Sequence, residues 1–144
     1  MANGTKFEVH GLEDIFRTVE RKLGRQAVID ISNDFAKQAG KAGKKIVQEV
    51  EGSYRDTGAT VKETTYKVKP GGIGGVTYVS IGWKGPKQRV KLVHLNEFGY
   101  ARKTNGGIRR IRPKGFGKLE STLAPIGVAA RMIARKAVVK SLQK

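Results

Sequence analysis

The sequence predicts an α+β fold: a long N-terminal helix packed on a small antiparallel β-sheet, then a short helix, a long basic loop and a C-terminal helix. Three observations predict it. Apolar residues recur at helical spacing from Leu12 to Val50. Two alternating runs, 60–69 and 76–83, flank a glycine-rich turn. A further helical pattern runs from Pro125 to Leu142. At 144 residues the chain reads as a single domain, 1–144, large enough to bury a real core.

The first helix is expected over Leu12 to Leu23, with Leu12, Ile15, Phe16, Val19 and Leu23 on one face and Gly24 ending it. A longer helix follows from Arg25 to Glu51. Its stripe is Val28, Ile31, Phe35, Ala39, Ala42, Ile46 and Val50, opposite a face carrying Asp34, Lys37, Lys41, Lys44, Lys45 and Gln48. Beside the stripe runs a row of small residues: Ser32, Ala36, Gly40 and Gly43. An interior glycine costs a helix about 1 kcal/mol relative to alanine. Two of them imply close approach, either by an internal sheet or helix or by a neighbouring subunit.

Thr60 to Lys69 reads as a strand with Thr64, Tyr66 and Val68 on one face. Val76 to Trp83 reads as its partner, with Thr77, Val79, Ile81 and Trp83 alternating against Val76, Tyr78 and Ser80. Pro70-Gly-Gly-Ile-Gly-Gly75 joins them, and Gly71, Gly72, Gly74 and Gly75 suit a hairpin or a subunit-contact loop. Val90 to Phe98 fits a short helix better than a strand, with Gly99 at the position that favours a left-handed backbone. From Ala101 to Gly117 there is little periodicity, with four glycines and six cations. Long loops of this kind inside a small domain are usually functional or disordered. In the closing helix Pro125 suits the first turn. Ile126, Ala130, Ile133, Ala137 and Val138 form its apolar side; Arg131, Arg135, Lys136 and Lys140 form a basic side.

Charge is the unusual property. The formal net charge is +17; residues 1–64 hold 11 Lys or Arg against 10 Asp or Glu, whereas residues 65–144 hold 18 against 2, Glu97 and Glu120. Such asymmetry points to an acidic partner, nucleic acid or protein, rather than to a solvated face alone. Arg102, Lys103, Arg109, Arg110, Arg112 and Lys114 share the long loop and could neutralise phosphates without reading sequence. No cysteine is present, which excludes disulfides and thiolate-held metals and fits an intracellular origin. The N-terminus lacks a signal-peptide pattern, and no apolar run approaches the roughly 20 residues of a membrane span.

Signals for catalysis are weak. The chain has two histidines, His10 and His94. His94 and Glu97 are three apart, but two candidate ligands do not make a metal site, and a half-buried polar role fits His94 better. Glu97 is expected to make a salt bridge or tie down backbone near the loop. No phosphate-cradling strand–loop–helix motif occurs. No catalytic residue, cofactor or metal is assigned.

Five features in order resemble the tailed-phage tail-completion or neck family, whose prototype is the tenth gene product of a lambda-like siphophage. They are Tyr54-Arg-Asp-Thr-Gly-Ala59, a β-hairpin, His94-Leu-Asn-Glu-Phe-Gly-Tyr100, Arg112-Pro-Lys-Gly-Phe116 and a C-terminal helix. The resemblance covers about residues 12 to 142 and implies structural roles. Thr57 and Gly58 would make the helix-to-sheet turn. Phe98 would plug the core, Glu97 tie backbone and Gly99 let the chain reverse. Pro113 and Phe116 would pin the far end of the loop. Tyr100 departs from the small hydroxyl residue of many relatives, and 101–111 is a long basic insert.

The resemblance further implies a virion protein made in the host cytoplasm. It would form an oligomeric ring, commonly sixfold, between the capsid connector or head-completion proteins and the tail-terminator or tail-tube proteins. Packaged DNA would pass through such a ring. A small basic protein that binds nucleic acid non-specifically is the alternative.

Overall fold

The computed structural model describes residues 5–6, 13–71 and 77–143. The fold is α+β. Strand β1 (Thr5–Lys6) precedes helix α1 (Glu13–Leu23), helix α2 (Arg25–Gly52), a one-turn helix α3 (Ala59–Glu63), strands β2 (Thr64–Lys69) and β3 (Tyr78–Trp83) and helix α4 (Val90–Phe98). Strands β4 (Tyr100–Thr104) and β5 (Gly107–Ile111) follow, then a single 3₁₀ turn at Glu120–Thr122 and helix α5 (Leu123–Leu142). One sheet is antiparallel in the order β1-β3-β2; β4 and β5 form a separate two-stranded ribbon.

Helix α2 is the spine. At roughly 1.5 Å per residue its 28 residues span about 42 Å. It packs against α5, both long strands and α1. Its buried residues are Ala36, Ala39, Gly40, Gly43, Val47 and Glu51. The expected apolar stripe is thus displaced: the row of small residues lies at the centre of the buried face, and Val28, Ile31, Phe35, Ile46 and Val50 flank it half-buried. The reason is steric. A Cβ on Gly40 would lie 2.4 Å from Cδ2 of Tyr66, and one on Gly43 would lie 2.7 Å from Cδ1 of Ile81. The sheet presses on the helix there, so Gly40 and Gly43 serve internal packing, the first of the two expected roles.

The hydrophobic core joins Val47, Ile81, Trp83, Val93, Leu119 and Ile126, with Ile46, Tyr66 and Val90 packed against it. It draws one or two residues from α2, β3, α4, the segment before the 3₁₀ turn and α5, which ties those elements together. The alternation expected for the second strand holds, since Ile81 and Trp83 are buried and Tyr78 is exposed. Residues 60–63, expected as strand, are helical and belong to α3. The left-handed Gly58 (φ 75°) opens that turn and leaves the strand to begin at Thr64. The expected hairpin residues Gly72, Gly74 and Gly75 lie outside the described residues. Gly71 lies within them, its N–H donating to Oγ1 of Thr77 at 3.3 Å.

Candidate functional site: a basic hairpin on a glutamate-tied platform

The segment expected as an irregular basic loop is a β-hairpin for most of its length. Tyr100 pairs with Ile111, Ala101 with Arg110, Arg102 with Arg109, Lys103 with Ile108 and Thr104 with Gly107. Asn105-Gly106 makes the turn, the positive φ falls at Gly107 (121°), and the Thr104 hydroxyl donates to the Gly107 carbonyl at 3.0 Å. Asn-Gly between two five-residue runs is a strong hairpin signal. It is the sequence feature that would have located these strands. The usual alternation of apolar and polar residues is missing because neither face of the ribbon is buried: all of 100–110 is exposed.

Arg102, Lys103, Arg109 and Arg110 therefore stand on an ordered scaffold. Arg112 lies just beyond, its guanidinium 5.1 Å from the centre of the Phe116 ring. Lys114 is exposed in the turn that follows. The ion pairs among the described residues are Arg17–Asp14 at 3.9 Å and Arg25–Glu20 at 3.1 Å, both near α1. No hairpin cation has a carboxylate partner among those residues.

Beneath the hairpin, the motifs of the family resemblance converge. Glu97 is buried, and its two oxygens accept the backbone N–H groups of Leu119 and Glu120, each at 2.9 Å. Its own carbonyl accepts the N–H of Gly117 at 3.0 Å. Glu97 thus ties the end of α4 to the approach to α5, the backbone role expected of it. Gly99 has a positive φ of 73° with ψ near −178°, an extended rather than left-handed helical cap. A Cβ there would meet the Ile111 carbonyl at 2.6 Å, so glycine is what lets β5 close beside the end of α4.

Phe98 is a correction. It is 67% exposed and plugs no core. The inward face of α4 is Val90, Val93 and Glu97, which leaves Phe98 on the outer side with Leu92 and Leu95. His94, expected half-buried, is exposed too, in edge contact with the Phe98 ring at 5.0 Å. Phe116 is partly exposed; it covers Gly99, and its N–H closes a turn onto the Pro113 carbonyl at 3.1 Å.

Tyr54 joins the first motif to the others. Its ring lies under Gly115, with the Lys118 ammonium 5.3 Å from its centre. Burial, aided by the nearby negative charges of Glu51 and Glu97, pushes the Tyr54 phenol up to about 12, so it stays protonated in ordinary conditions. Thr57 Oγ1 accepts from Arg89 at 3.4 Å, and the Thr57-Gly58 turn borders a cavity of about 130 Å³ with Glu51, Tyr54, Arg89 and Asn96. Nε of Arg89 is buried without a hydrogen-bond partner among the described residues.

Two further buried acids had no functional reading from the sequence. Glu51 accepts the Trp83 indole N–H and the Thr64 hydroxyl, each at 2.6 Å. Burial raises its pKa, and those two hydrogen bonds offset part of the rise. Glu63 accepts the backbone N–H groups of Lys87 and Arg89 at 2.6 and 2.7 Å and so fixes the entry to α4. For Glu51 the available signal was its place in the series Ala36, Gly40, Gly43, Val47, Glu51, which continues the buried face of α2.

The Glu51 carboxylate oxygens are both engaged, and burial holds the Tyr54 phenol protonated in ordinary conditions. Comparison with protein-family models, with curated proteins and with solved structures finds no match to this chain.

Proposed function

We propose that this chain is a structural virion protein of a tailed phage, a tail-completion or neck component that joins the capsid connector to the tail as an oligomeric ring and has no catalytic role. The observation that supports this best is the convergence of the motifs. Tyr54, Thr57, Glu97, Gly99, Pro113 and Phe116 come from three separated segments and meet in one platform that carries the exposed hairpin. That use of the shared residues is architectural, as the family resemblance implies.

Two exposed surfaces suit assembly. The hairpin carries cations with no carboxylate partner among the described residues, and the outer side of α4 presents Leu92, Leu95 and Phe98. Closed rings arise where one patch meets a different patch on the next copy. Apolar contact supplies affinity, and charge complementarity supplies orientation and partner choice. Neighbouring connector and tail-terminator or tail-tube proteins are the partners on this reading, and the virion neck is the location. No helix among the described residues is long and apolar enough to cross a membrane.

The test is charge reversal of Arg109, Arg110 and Arg112 to Glu in the phage genome. The side chains are exposed, so the expected result is a folded protein with filled heads and free tails that fail to join. A normal yield of infectious particles would overturn the proposal. Salt-resistant, sequence-selective DNA binding by the purified chain would likewise overturn the structural reading.

A further inference from the structure

We infer that the β4–β5 hairpin is a two-faced ribbon that enters a groove of duplex DNA and neutralises phosphates on both sides of itself. The inference rests on the proposed reading of the hairpin as a contact arm and names what the arm touches.

The register decides which side chains share a face, because residues directly opposite in an antiparallel pair point the same way. One face carries Tyr100, Arg102 and Thr104 with Arg109 and Ile111. The other carries Ala101 and Lys103 with Ile108 and Arg110. Each face therefore holds two cations. On the first, Arg102 stands directly opposite Arg109, a like-charge pair that disfavours the ribbon unless an anion lies between. The hairpin itself contains no acid, and no carboxylate among the described residues pairs with it. An isolated two-stranded hairpin is marginal in water. A polyanion converts the repulsion into attraction and consolidates the arm.

Cations on both faces select between partners. An acidic protein surface would meet one face, and a stable protein interface needs an apolar centre. The outer part of the ribbon offers only Ile108, 78% exposed, for that purpose. A nucleic-acid groove places phosphates on two sides, and the B-form major groove, about 12 Å wide, admits a two-stranded ribbon. The deep, narrow major groove of A-form RNA does not suit it. With no recognition pattern beyond charge, binding is independent of sequence and falls steeply with salt.

The experiment measures affinity of the full-length chain for a mixed-sequence DNA duplex by fluorescence anisotropy between about 50 and 200 mM NaCl. Each neutralised phosphate contributes about 0.9 to the slope of log affinity against log salt. R102A/R109A and K103A/R110A should each reduce the slope by about 2, and the quadruple variant by about 4. R102K/R109K should restore the parent slope, because charge and not shape is counted. R131A/R135A on α5 should leave it unchanged.

Loss of slope from one face only would overturn groove entry. So would an equal loss from the α5 pair, tighter binding to single strands or RNA duplex, or displacement of DNA by poly-glutamate at equal charge. Circular dichroism checks the fold of each variant, with R102Q/R109Q replacing an alanine pair that perturbs it. Unchanged slopes alongside a failed head–tail joining in the charge-reversal phage would sink this inference and leave the neck proposal standing.

Discussion

Glu51, Glu63 and Glu97 are buried in a chain of net charge +17, yet no cation pairs with any of them among the described residues. Each instead accepts two hydrogen bonds from neutral groups, so each is a tie between segments distant in sequence. Hydrogen bonds to charged groups are worth about 1.5–3 kcal/mol, and a buried donor left unmatched costs a further penalty. Glu97→Ala strands two backbone N–H groups at the approach to α5. It should lower unfolding free energy by about 2–3 kcal/mol in urea titration. A loss below about 0.5 kcal/mol, the ordinary effect of a surface change, would show that water replaces the tie. Glu51 adds a pH dependence. Its folded pKa is raised by burial, so above the ordinary value near 4.5 the folded chain holds a proton that the unfolded chain has released. The Glu51 contribution is therefore full at acid pH and declines as pH rises through the folded pKa. Glu51→Gln should flatten that decline and be no less stable than the parent at neutral pH, as read from thermal midpoints across a pH series. Of the three acids, only Glu97 was legible as a backbone tie, because it is one of two acids in a strongly basic half. Glu51 and Glu63 lie where charges balance, and an acid there looks like ordinary surface.

Legibility of the elements depended on whether tertiary contact or local pattern set each one. Helices α1, α2 and α5 and the β2–β3 pair follow from periodicity, and their observed bounds differ from expectation by a few residues at most, whereas α3 takes residues expected as strand. The β4–β5 ribbon was hidden because strand alternation records a buried face, and this ribbon has none. Only its Asn-Gly turn carried the signal. Phe98 failed for a related reason: an aromatic beside a glycine suggests a plug, but the inward face of α4 is set by Val90, Val93 and Glu97. The two glycines of α2 test the packing reading directly. Alanine gains about 1 kcal/mol in helix propensity at either site, while overpacking costs about 1–3 kcal/mol. At Gly43 the new methyl meets the terminal Cδ1 of Ile81, which can swing aside. At Gly40 it meets the Tyr66 ring at three atoms, all within 3.1 Å, and a ring held against a helix moves less easily. Gly43→Ala should therefore stay within about 1 kcal/mol of the parent and Gly40→Ala should be the less stable of the two by a similar margin, both measured by urea unfolding. The reverse order would mean that the sheet does not press on α2 as described.

Across the whole molecule the charges separate by sequence half and by whether they are paired. The described ion pairs lie near α1, whereas no cation of residues 65–144 has a carboxylate partner among the described residues. Net self-repulsion of this kind destabilises the compact state and is relieved by screening, whose range shrinks to about 8 Å at physiological ionic strength. Raising NaCl from a low value to about 0.15 M should thus raise the thermal midpoint of the isolated chain. The same change should weaken its affinity for a DNA duplex, because counterions then compete for phosphates. The two responses to one variable have opposite signs, which separates them from any general effect of salt on solubility or folding. They also share a cause. Cations that repel one another in the free chain are the ones that gain most from a polyanion, so the instability that salt relieves is a measure of what a partner can recover. Differential scanning fluorimetry and anisotropy on the same samples provide the check. A midpoint that falls with salt would mean that attractive pairs dominate the free protein, and the cations assigned to partner contact would then be engaged within the chain itself.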